Sequence, residues 1–307
     1  MNKFDFLTKP LARSKGWNIF FKISANGKEF MKREILILLC LICLFLPLSA
    51  SAQNSSRVES GFQFYYFDYK EDLPDPLKST ERGWLPGIYV NFEHRYPSNV
   101  CIQIGGSYAG GEIKYDGTSQ TGIPVVDNDS RQDFFRFNAD IGYAFPSRGK
   151  ISFQPFIGYG YRFWKRSDAK MVSNVIFYRE DYVWHYLREG LKINYRLNKN
   201  WTFGNIFTLN HMLYGEMKAY LSEVQAGSND LEFELGNKLG IMIEFPATYQ
   251  IQPKWSVVIS PWYEYSAFGQ SNTTAQTVNG VRTGDLFYEP SSRTHQIGVN
   301  TAITYSF

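Results

Sequence analysis

Residues 255–265 read WSVVISPWYEY, and the two alternate sets of side chains in this stretch differ in character. Successive side chains of a β-strand point to opposite faces of a sheet, so every second residue belongs to one face. Ser256, Ser260 and Glu264 fall on one face together with Val258 and Trp262. The other face consists of Trp255, Val257, Ile259, Pro261, Tyr263 and Tyr265. This period of two predicts a strand with one apolar face and one more polar face.

The same alternation recurs along the chain, for example in residues 134–145 and 233–245. The repeats are separated in turn by short and long polar stretches. The long ones include residues 70–82, 112–131 and 270–292, and the short ones 96–99, 146–150, 198–200 and 246–254. An even number of strands, about ten, with short and long connections in alternation is typical of a transmembrane up-and-down β-barrel.

Aromatic side chains decide between a membrane barrel and a water-soluble barrel. A soluble barrel turns its apolar face inward, whereas a membrane barrel turns that face to lipid and carries aromatic girdles at the strand ends. The aromatic residues at expected strand ends are Trp255, Trp201, Tyr143, Phe145 and Tyr195. We therefore predict an all-β fold, a transmembrane antiparallel up-and-down barrel of about ten strands. The alternative is a secreted β-sandwich or lipocalin-like barrel.

The N-terminal part of the chain predicts export. Residues 31–52 have a basic start at Lys32 and Arg33, a short apolar core, and a small-x-small end at Ala50 and Ala52. That order is typical of a cleaved signal peptide, and the apolar core is short for a membrane anchor. We interpret residues 1–30 as an upstream extension, with translation beginning at Met31, and residues 53–307 as the mature barrel.

Composition narrows the function classes further. Aromatic residues make up 17% of the chain, and the mean hydropathy of −0.31 argues against a helical membrane protein. A net charge of +3 does not suggest a nucleic-acid partner. After signal cleavage Cys101 is the one remaining cysteine, so the mature fold forms no internal disulfide.

The last eight residues, NTAITYSF, resemble the C-terminal targeting signal of bacterial outer-membrane barrels. Asn300, Ala302, Tyr305 and Phe307 fill the polar, small and two aromatic positions of that signal, with Ala where Gly is common. The stretches PFIGYGYRFW (155–164) and ISPWYEYSAFGQS (259–271) also resemble segments of uncharacterised Gram-negative outer-membrane β-barrel proteins. The resemblance implies the outer membrane as location, with lipid, lipopolysaccharide and the barrel-assembly machinery as partners. It implies no activity.

Enzymes are known on this scaffold, so catalytic patterns matter. Proteases of the omptin type are ten-stranded and use acidic pairs with a His-Asp pair at the outer rim. Asp127 and Asp129 lie on an expected outer loop, but the chain contains no Asp-x-His and no His-x-Ser. Without the required base we predict no enzymatic activity and no catalytic residues, with an omptin-like rim hydrolase as an alternative.

The hairpin that turns near Asn198 predicts His185 opposite His211. Such a pair suggests a metal site or a protonation switch, but no carboxylate or cysteine joins it in register. We therefore favour two ring side chains near a membrane interface, and predict neither a metal nor a cofactor.

Charged residues on the polar face predict a network inside the barrel. The ten positions are Glu93, Arg136, Asp140, Arg162, Arg188, Lys192, Glu234, Lys238, Glu244 and Glu264. Charges facing a narrow interior must pair or remain hydrated, and about ten strands leave little room beyond side chains. We expect a cross-linked and largely plugged lumen. Glu189 departs from the pattern, which predicts a bulge or a register shift near Gly190.

A plugged lumen leaves the outer loops as the variable surface. Loops on a rigid scaffold commonly carry binding functions. The sequence thus predicts a non-enzymatic barrel whose loops contact an extracellular ligand or contribute to envelope structure. A narrow channel for small solutes or ions is the alternative.

Overall fold

A computed structural model describes residues 55–119, 122–146, 149–166, 169–172 and 175–307. The predicted upstream extension (1–30), the signal peptide (31–52) and its cleavage residues Ala50 and Ala52 lie outside the described residues.

The described chain consists mainly of strands. In chain order they are β1 (Ser55–Glu71), β2 (Ser79–Arg95), β3 (Val100–Thr118), β4 (Pro124–Tyr143), β5 (Ile151–Arg166), β6 (Lys170–Val172), β7 (Val175–Phe177), β8 (Glu180–Arg196), β9 (Trp201–Ala219), β10 (Leu231–Glu234), β11 (Leu239–Glu244), β12 (Ala247–Gln252), β13 (Trp255–Phe268), β14 (Thr274–Val278), β15 (Val281–Phe287) and β16 (Ser292–Ser306). A short 3₁₀ turn spans Leu221–Glu223. No helix in the described part of the chain is long and apolar enough to cross a membrane.

Twelve of these strands form one antiparallel sheet that closes on itself. The segments β10, β11 and β12 follow one another along a single wall position, which leaves ten wall strands. Closure joins the first strand to the last, from Arg57 opposite Ser306 to Glu71 opposite Ser292. The predicted antiparallel barrel of about ten strands is confirmed.

The two ends of the barrel differ in their connections. At one end, the turn end, β2–β3, β4–β5, β8–β9 and β12–β13 are joined by short turns, and both described termini lie there. At the other end, the loop end, the hairpins β6–β7 and β14–β15 extend from the wall. Two predicted connections were wrong in extent: most of 112–131 belongs to β3 and β4, and most of 246–254 is strand β12. Both stretches are polar, which concealed their strand pairing.

The outer face of the wall is apolar, as expected for contact with lipid. Large exposed side chains include Phe62, Ile88, Ile259 and Ile303 from four different strands. The five aromatic residues expected at strand ends are all exposed near the turn end: Tyr143, Phe145, Tyr195, Trp201 and Trp255. Lipid provides no hydrogen-bond partners. A closed barrel pairs the backbone N–H and C=O groups of its wall strands with one another, so none of them needs a partner from lipid.

The wall carries matched irregularities on two neighbouring strands. On β9 both Leu213 and Tyr214 are exposed, and the register between β8 and β9 shifts at this level. On the adjacent strand Leu235 is buried whereas Leu239 is exposed, so the two faces exchange between β10 and β11. Each irregularity adds one residue relative to its regular neighbour, as a β-bulge does.

Candidate functional site: the lumen and its mouth

An aromatic layer fills the loop half of the lumen. Trp164 is almost fully buried and stacks on Phe134 and on Tyr182, with ring centroids 5.2 Å and 4.6 Å away. The edges of Phe67 and Tyr69, both from β1, meet the same indole. These side chains come from β1, β4, β5 and β8, so the layer extends across the barrel interior and obstructs it.

A three-residue ion cluster crosses the middle of the lumen. Glu264 on β13 accepts from Arg136 on β4 at 3.1 Å and forms a second ion pair with Arg162 on β5. The Glu264 side chain is 1% exposed and that of Arg162 is 4% exposed. Arg162 also donates to the hydroxyl of Tyr186, and Arg136 to the amide oxygen of Gln296. Buried charges are tolerated when they are paired and hydrogen-bonded in this way.

Two further pairs lie toward the turn end. Arg188 donates to Asp140, with Nε to Oδ1 at 2.9 Å. Lys192 lies 3.2 Å from Glu93 Oε2, and Arg57 lies 3.6 Å from the same oxygen. Seven predicted network residues thus take part in ion pairs of the interior. Glu244 is half-buried opposite the buried Trp262 and has no ion pair within the described residues.

The other two predicted network residues behave differently. Glu234 is exposed opposite Glu216, while its neighbours Phe233 and Leu235 are buried, so the inward assignment of Glu234 was wrong. Lys238 is also exposed, although it lines a cavity beside the wall irregularity. The physical reason is the extra residue between β10 and β11. On the loop-end side of that residue, inward and outward positions are exchanged.

Two small cavities lie between these layers. A cavity of about 10 Å³ lies among Phe67, Trp164 and Arg162, and another of about 20 Å³ lies beside Asn210 and Glu264. Each has room for about one water molecule. The side chains between them block any wide passage at this level.

A second charged cluster, which the sequence analysis missed, lies at the loop-end mouth. Arg166 on β5 contacts Glu71 at 3.0 Å, Glu81 at 3.1 Å and Glu180 at 2.8 Å. Ser130 and Gln132 donate to Glu81, which is fully buried. We define the mouth cluster as Arg166 with Glu71, Glu81, Glu180 and Glu289.

Glu289 is the fourth carboxyl of this cluster and comes from the segment between β15 and β16. Its Oε1 accepts from the hydroxyl of Tyr182 at 2.8 Å and from that of Tyr69 at 3.4 Å. Burial, together with the neighbouring Glu71 and Glu180 carboxylates, raises the pKa of the Glu289 carboxyl well above its usual value. Glu71 and Glu180 share the inward parity of Tyr69 and Tyr182, a signal that could have revealed the strand members of the cluster.

The four histidines lie outside the lumen. His185 is opposite Tyr214 and contacts the Tyr159 hydroxyl, His211 is opposite Leu187, and His295 bonds Tyr263. His94 bonds Ser56 near the turn end. The prediction that His185 faces His211 was wrong, because the hairpin is centred on Lys199 instead of Asn198, which shifts the register by two residues. The extra residue at Leu213 then adds one more.

Glu189 points outward as parity requires, and the bulge or register shift predicted near Gly190 is absent from the continuous β8–β9 register there. Instead, Glu189 lies 3.8 Å from His211 on the outer surface. The irregularity sits further along the hairpin, at Leu213.

The remaining predicted residues are distributed between the two ends. Asp127 is buried and pairs with Lys170 at 2.6 Å, whereas Asp129 is exposed. At the C-terminus, Asn300 and Ala302 lie on the inward face, and Tyr305 and Phe307 on the outward face. Within the described residues no group of three or more His, Cys, Asp or Glu side chains could hold a metal ion.

A closed antiparallel barrel with an apolar exterior and a paired, polar interior defines an integral β-barrel membrane protein. The chain belongs to the outer membrane protein beta-barrel domain family, whose model matches residues 36–300. It is therefore an outer-membrane protein, as the sequence predicted.

Solved barrels share this fold at low sequence identity. The outer membrane protease OmpT from Escherichia coli is 11% identical with a TM-score of 0.55, over 85% of this chain and 99% of that chain. The translocator domain of autotransporter NalP from Neisseria meningitidis is 10% identical with a TM-score of 0.38, over 92% and 98%. OprG from Pseudomonas aeruginosa is 11% identical with a TM-score of 0.37, over 83% and 96%.

No curated protein matches the chain in sequence. Likeness to the protease at 11% identity shows only the fold. The fold therefore fixes no activity for this chain.

Proposed function

We propose that this protein is a non-conducting, non-enzymatic outer-membrane barrel that presents its loop-end hairpins to the exterior for binding or envelope structure. The observation that supports this most directly is the cross-lumen cluster of Arg136, Glu264 and Arg162 beneath the aromatic layer. A diffusion pore needs a continuous aqueous path, whereas these side chains join opposite walls at two successive levels.

The hairpins supply the surface for binding. β14–β15 and β6–β7 extend beyond the wall as two separate two-stranded sheets. Their exposed apolar side chains include Val281, Leu286, Met171 and Ile176. Exposed loop residues on a rigid scaffold are the usual place for recognition.

The positions of the histidines disfavour the rim-hydrolase alternative. An omptin-like mechanism needs a histidine base beside an aspartate at the outer rim. In this chain His185, His211 and His295 lie on the outward face of the wall, and His94 lies near the turn end. His295 is opposite Asp68, but both face away from the mouth and Asp68 pairs with Arg82. Asp127 is engaged by Lys170 instead. Incubation with fluorogenic peptides and with phospholipid vesicles should give no turnover; activity lost on mutation of a rim residue would establish the hydrolase.

Planar-bilayer conductance tests the central claim. We expect no resolved conductance steps for the wild type, and steps to appear when Glu264→Ala and Trp164→Ala together open the cross-lumen cluster and the aromatic layer. Glu223→Ala, which alters an exposed loop pair, should remain silent. Wild-type steps that Glu264→Ala abolishes would instead establish the narrow-channel alternative.

Binding through the hairpins is tested on whole cells. Cells producing the wild type are compared with cells in which residues 274–287 are replaced by a short Gly-Ser turn, on arrays of immobilised polysaccharides and host matrix proteins. We expect the replacement to reduce adhesion while the amount of barrel in the outer membrane stays the same. Equal adhesion of both cell types to every surface would contradict a binding role for this hairpin.

A further inference from the structure

The segment 288–291 joins the β14–β15 hairpin to the barrel wall, and its contacts converge on Glu289. The Glu289 backbone N–H donates to Ser271 Oγ at 2.8 Å, and its carbonyl accepts from the Ser271 N–H at 2.9 Å. Phe287, just before it, packs against the aromatic core. The two bonds with Ser271 join the two legs of the hairpin at its base, and the Glu289 side chain joins that base to the wall. Further along the hairpin, β14 is also bonded to the segment 225–234, for example from the Thr277 N–H to Asn229 at 2.6 Å.

Charge at the mouth is unbalanced. Four carboxyl groups, from Glu71, Glu81, Glu180 and Glu289, surround the single guanidinium of Arg166. Arg166 is already in direct contact with the first three, at 2.8–3.1 Å. Glu289 is buried, with 5% of its surface exposed. Within the described residues its carboxyl group contacts the hydroxyls of Tyr182 and Tyr69 and no cation.

An ionised carboxylate in this position would face other carboxylates with two hydroxyl donors but no cation in contact, which is costly in a buried site. A neutral carboxylic acid avoids that cost, and its carbonyl oxygen can still accept from Tyr182 and Tyr69. The titratable or charged groups that face Glu289 are Tyr69 and Glu71 on β1, Arg166 on β5, Tyr178 before β8, and Glu180 and Tyr182 on β8. Arg166 is the only cation among them.

We propose that protonated Glu289 is an acid-dependent latch that holds the base of the β14–β15 hairpin on the barrel mouth, and that loss of this proton displaces the hairpin from the mouth. The direction of this pH dependence follows from which form binds the proton. The closed form keeps the proton, whereas in the open form Glu289 meets water and ionises near the ordinary pKa of a glutamate. The closed form is therefore favoured most in acid. The open-to-closed ratio grows by up to tenfold per pH unit between about 4.3 and the raised pKa of Glu289 in the closed form.

The raised pKa of Glu289 agrees with this direction of the pH effect. Burial and the neighbouring carboxylates favour the neutral acid in the closed form. The inference does not depend on whether the lumen conducts, since it concerns only the position of the hairpin. A conductance result that overturned the proposed function would leave it standing.

The test measures the hairpin position directly. Spin labels are placed at Val281→Cys on the hairpin and at Ile88→Cys on the β2 wall, both exposed sites, in a Cys101→Ser background. Protein purified from outer membranes is examined by pulsed electron-spin distance measurement from pH 4.5 to 9. For the wild type we expect one distance in acid and a second population that grows as the pH rises.

Two variants isolate the latch. Glu289→Gln keeps the shape without the ionisable group, so it should show the acid distance at every pH. Glu223→Gln, in an exposed ion pair with Arg179, should follow the wild type. Tyr182→Phe removes a donor but no charge, so it should raise the open population at each pH and keep the pH slope. A wild-type distance that does not change with pH, or a Glu289→Gln protein with the wild-type pH response, would overturn the proposal.

Discussion

Replacing Glu264 by alanine should be among the most destabilising changes in the chain. Glu264 is 1% exposed, and its Oε2 lies 3.1 Å from Arg136 Nη1 while the other oxygen pairs with Arg162. At an effective dielectric of about 20, a charge pair at that distance is worth about 5 kcal/mol before desolvation. Most of this is offset by the cost of burying the ions, but removing one partner leaves two guanidinium groups unpaired. We expect the free energy of unfolding to fall by about 3–5 kcal/mol.

The assay is reversible denaturant unfolding in lipid vesicles, followed by tryptophan fluorescence. Glu223→Ala is the matched control, because Glu223 pairs with Arg179 at 3.0 Å but its side chain is 33% exposed. Exposed pairs contribute at most about 1 kcal/mol. Replacing the whole cluster with Glu264→Leu, Arg136→Met and Arg162→Met should recover much of the loss. If Glu264→Ala and Glu223→Ala lose the same amount, the cross-lumen cluster does not stabilise the barrel as argued.

Two further predictions concern packing and assembly. Trp164→Ala should lower the free energy of unfolding by about 3–5 kcal/mol, because it leaves a cavity in the aromatic layer, whereas Trp84→Ala, on the exposed face, should cost less in the same assay. Deleting Phe307 should reduce the amount of protein in the outer membrane while export to the periplasm continues, as cell fractionation would show; Ser306→Ala should assemble normally. Equal outer-membrane yields for the two C-terminal variants would contradict a targeting role for the terminal aromatic residue.

Period-two alternation was enough to predict the barrel, because a wall strand between lipid and lumen repeats the same constraint along its length. The parity of residues 255–265 holds throughout β13, with Ser256, Ser260 and Glu264 all buried inside. The aromatic girdle at the turn end also followed from sequence, since Trp201 and Trp255 begin their strands.

Alternation no longer predicts which face a side chain lies on beyond an extra residue in a wall strand. Glu234 was misplaced by an extra residue within its strand, which no local pattern in the polar stretch 236–238 revealed. The supposed His185–His211 pair was misplaced by a hairpin turn centred one residue later than predicted and by the extra residue at Leu213. A one-residue shift moves every later side chain to the other face.

The mouth cluster was not predicted, for a different reason. We assigned aromatic faces to lipid and charges to the lumen, yet the loop half of the interior is filled by rings such as Trp164 and Tyr182. Glu289, moreover, belongs to a connection, where alternation gives no information. Which carboxyl meets Arg166 is determined by barrel closure and loop folding, and neither is encoded in local sequence.

The paired irregularities on β9 and the β10–β11 strand constrain how this family member can change in length. Because the two strands keep one common register above and below the irregular level, the extra residue in one compensates the extra residue in the other. An insertion or deletion in only one of them would turn the outer half of that strand inside out, whereas a coordinated change in both would preserve the lining. Residues near 213 and 237 are therefore expected to be gained or lost together during divergence, as a single inherited unit within the wall.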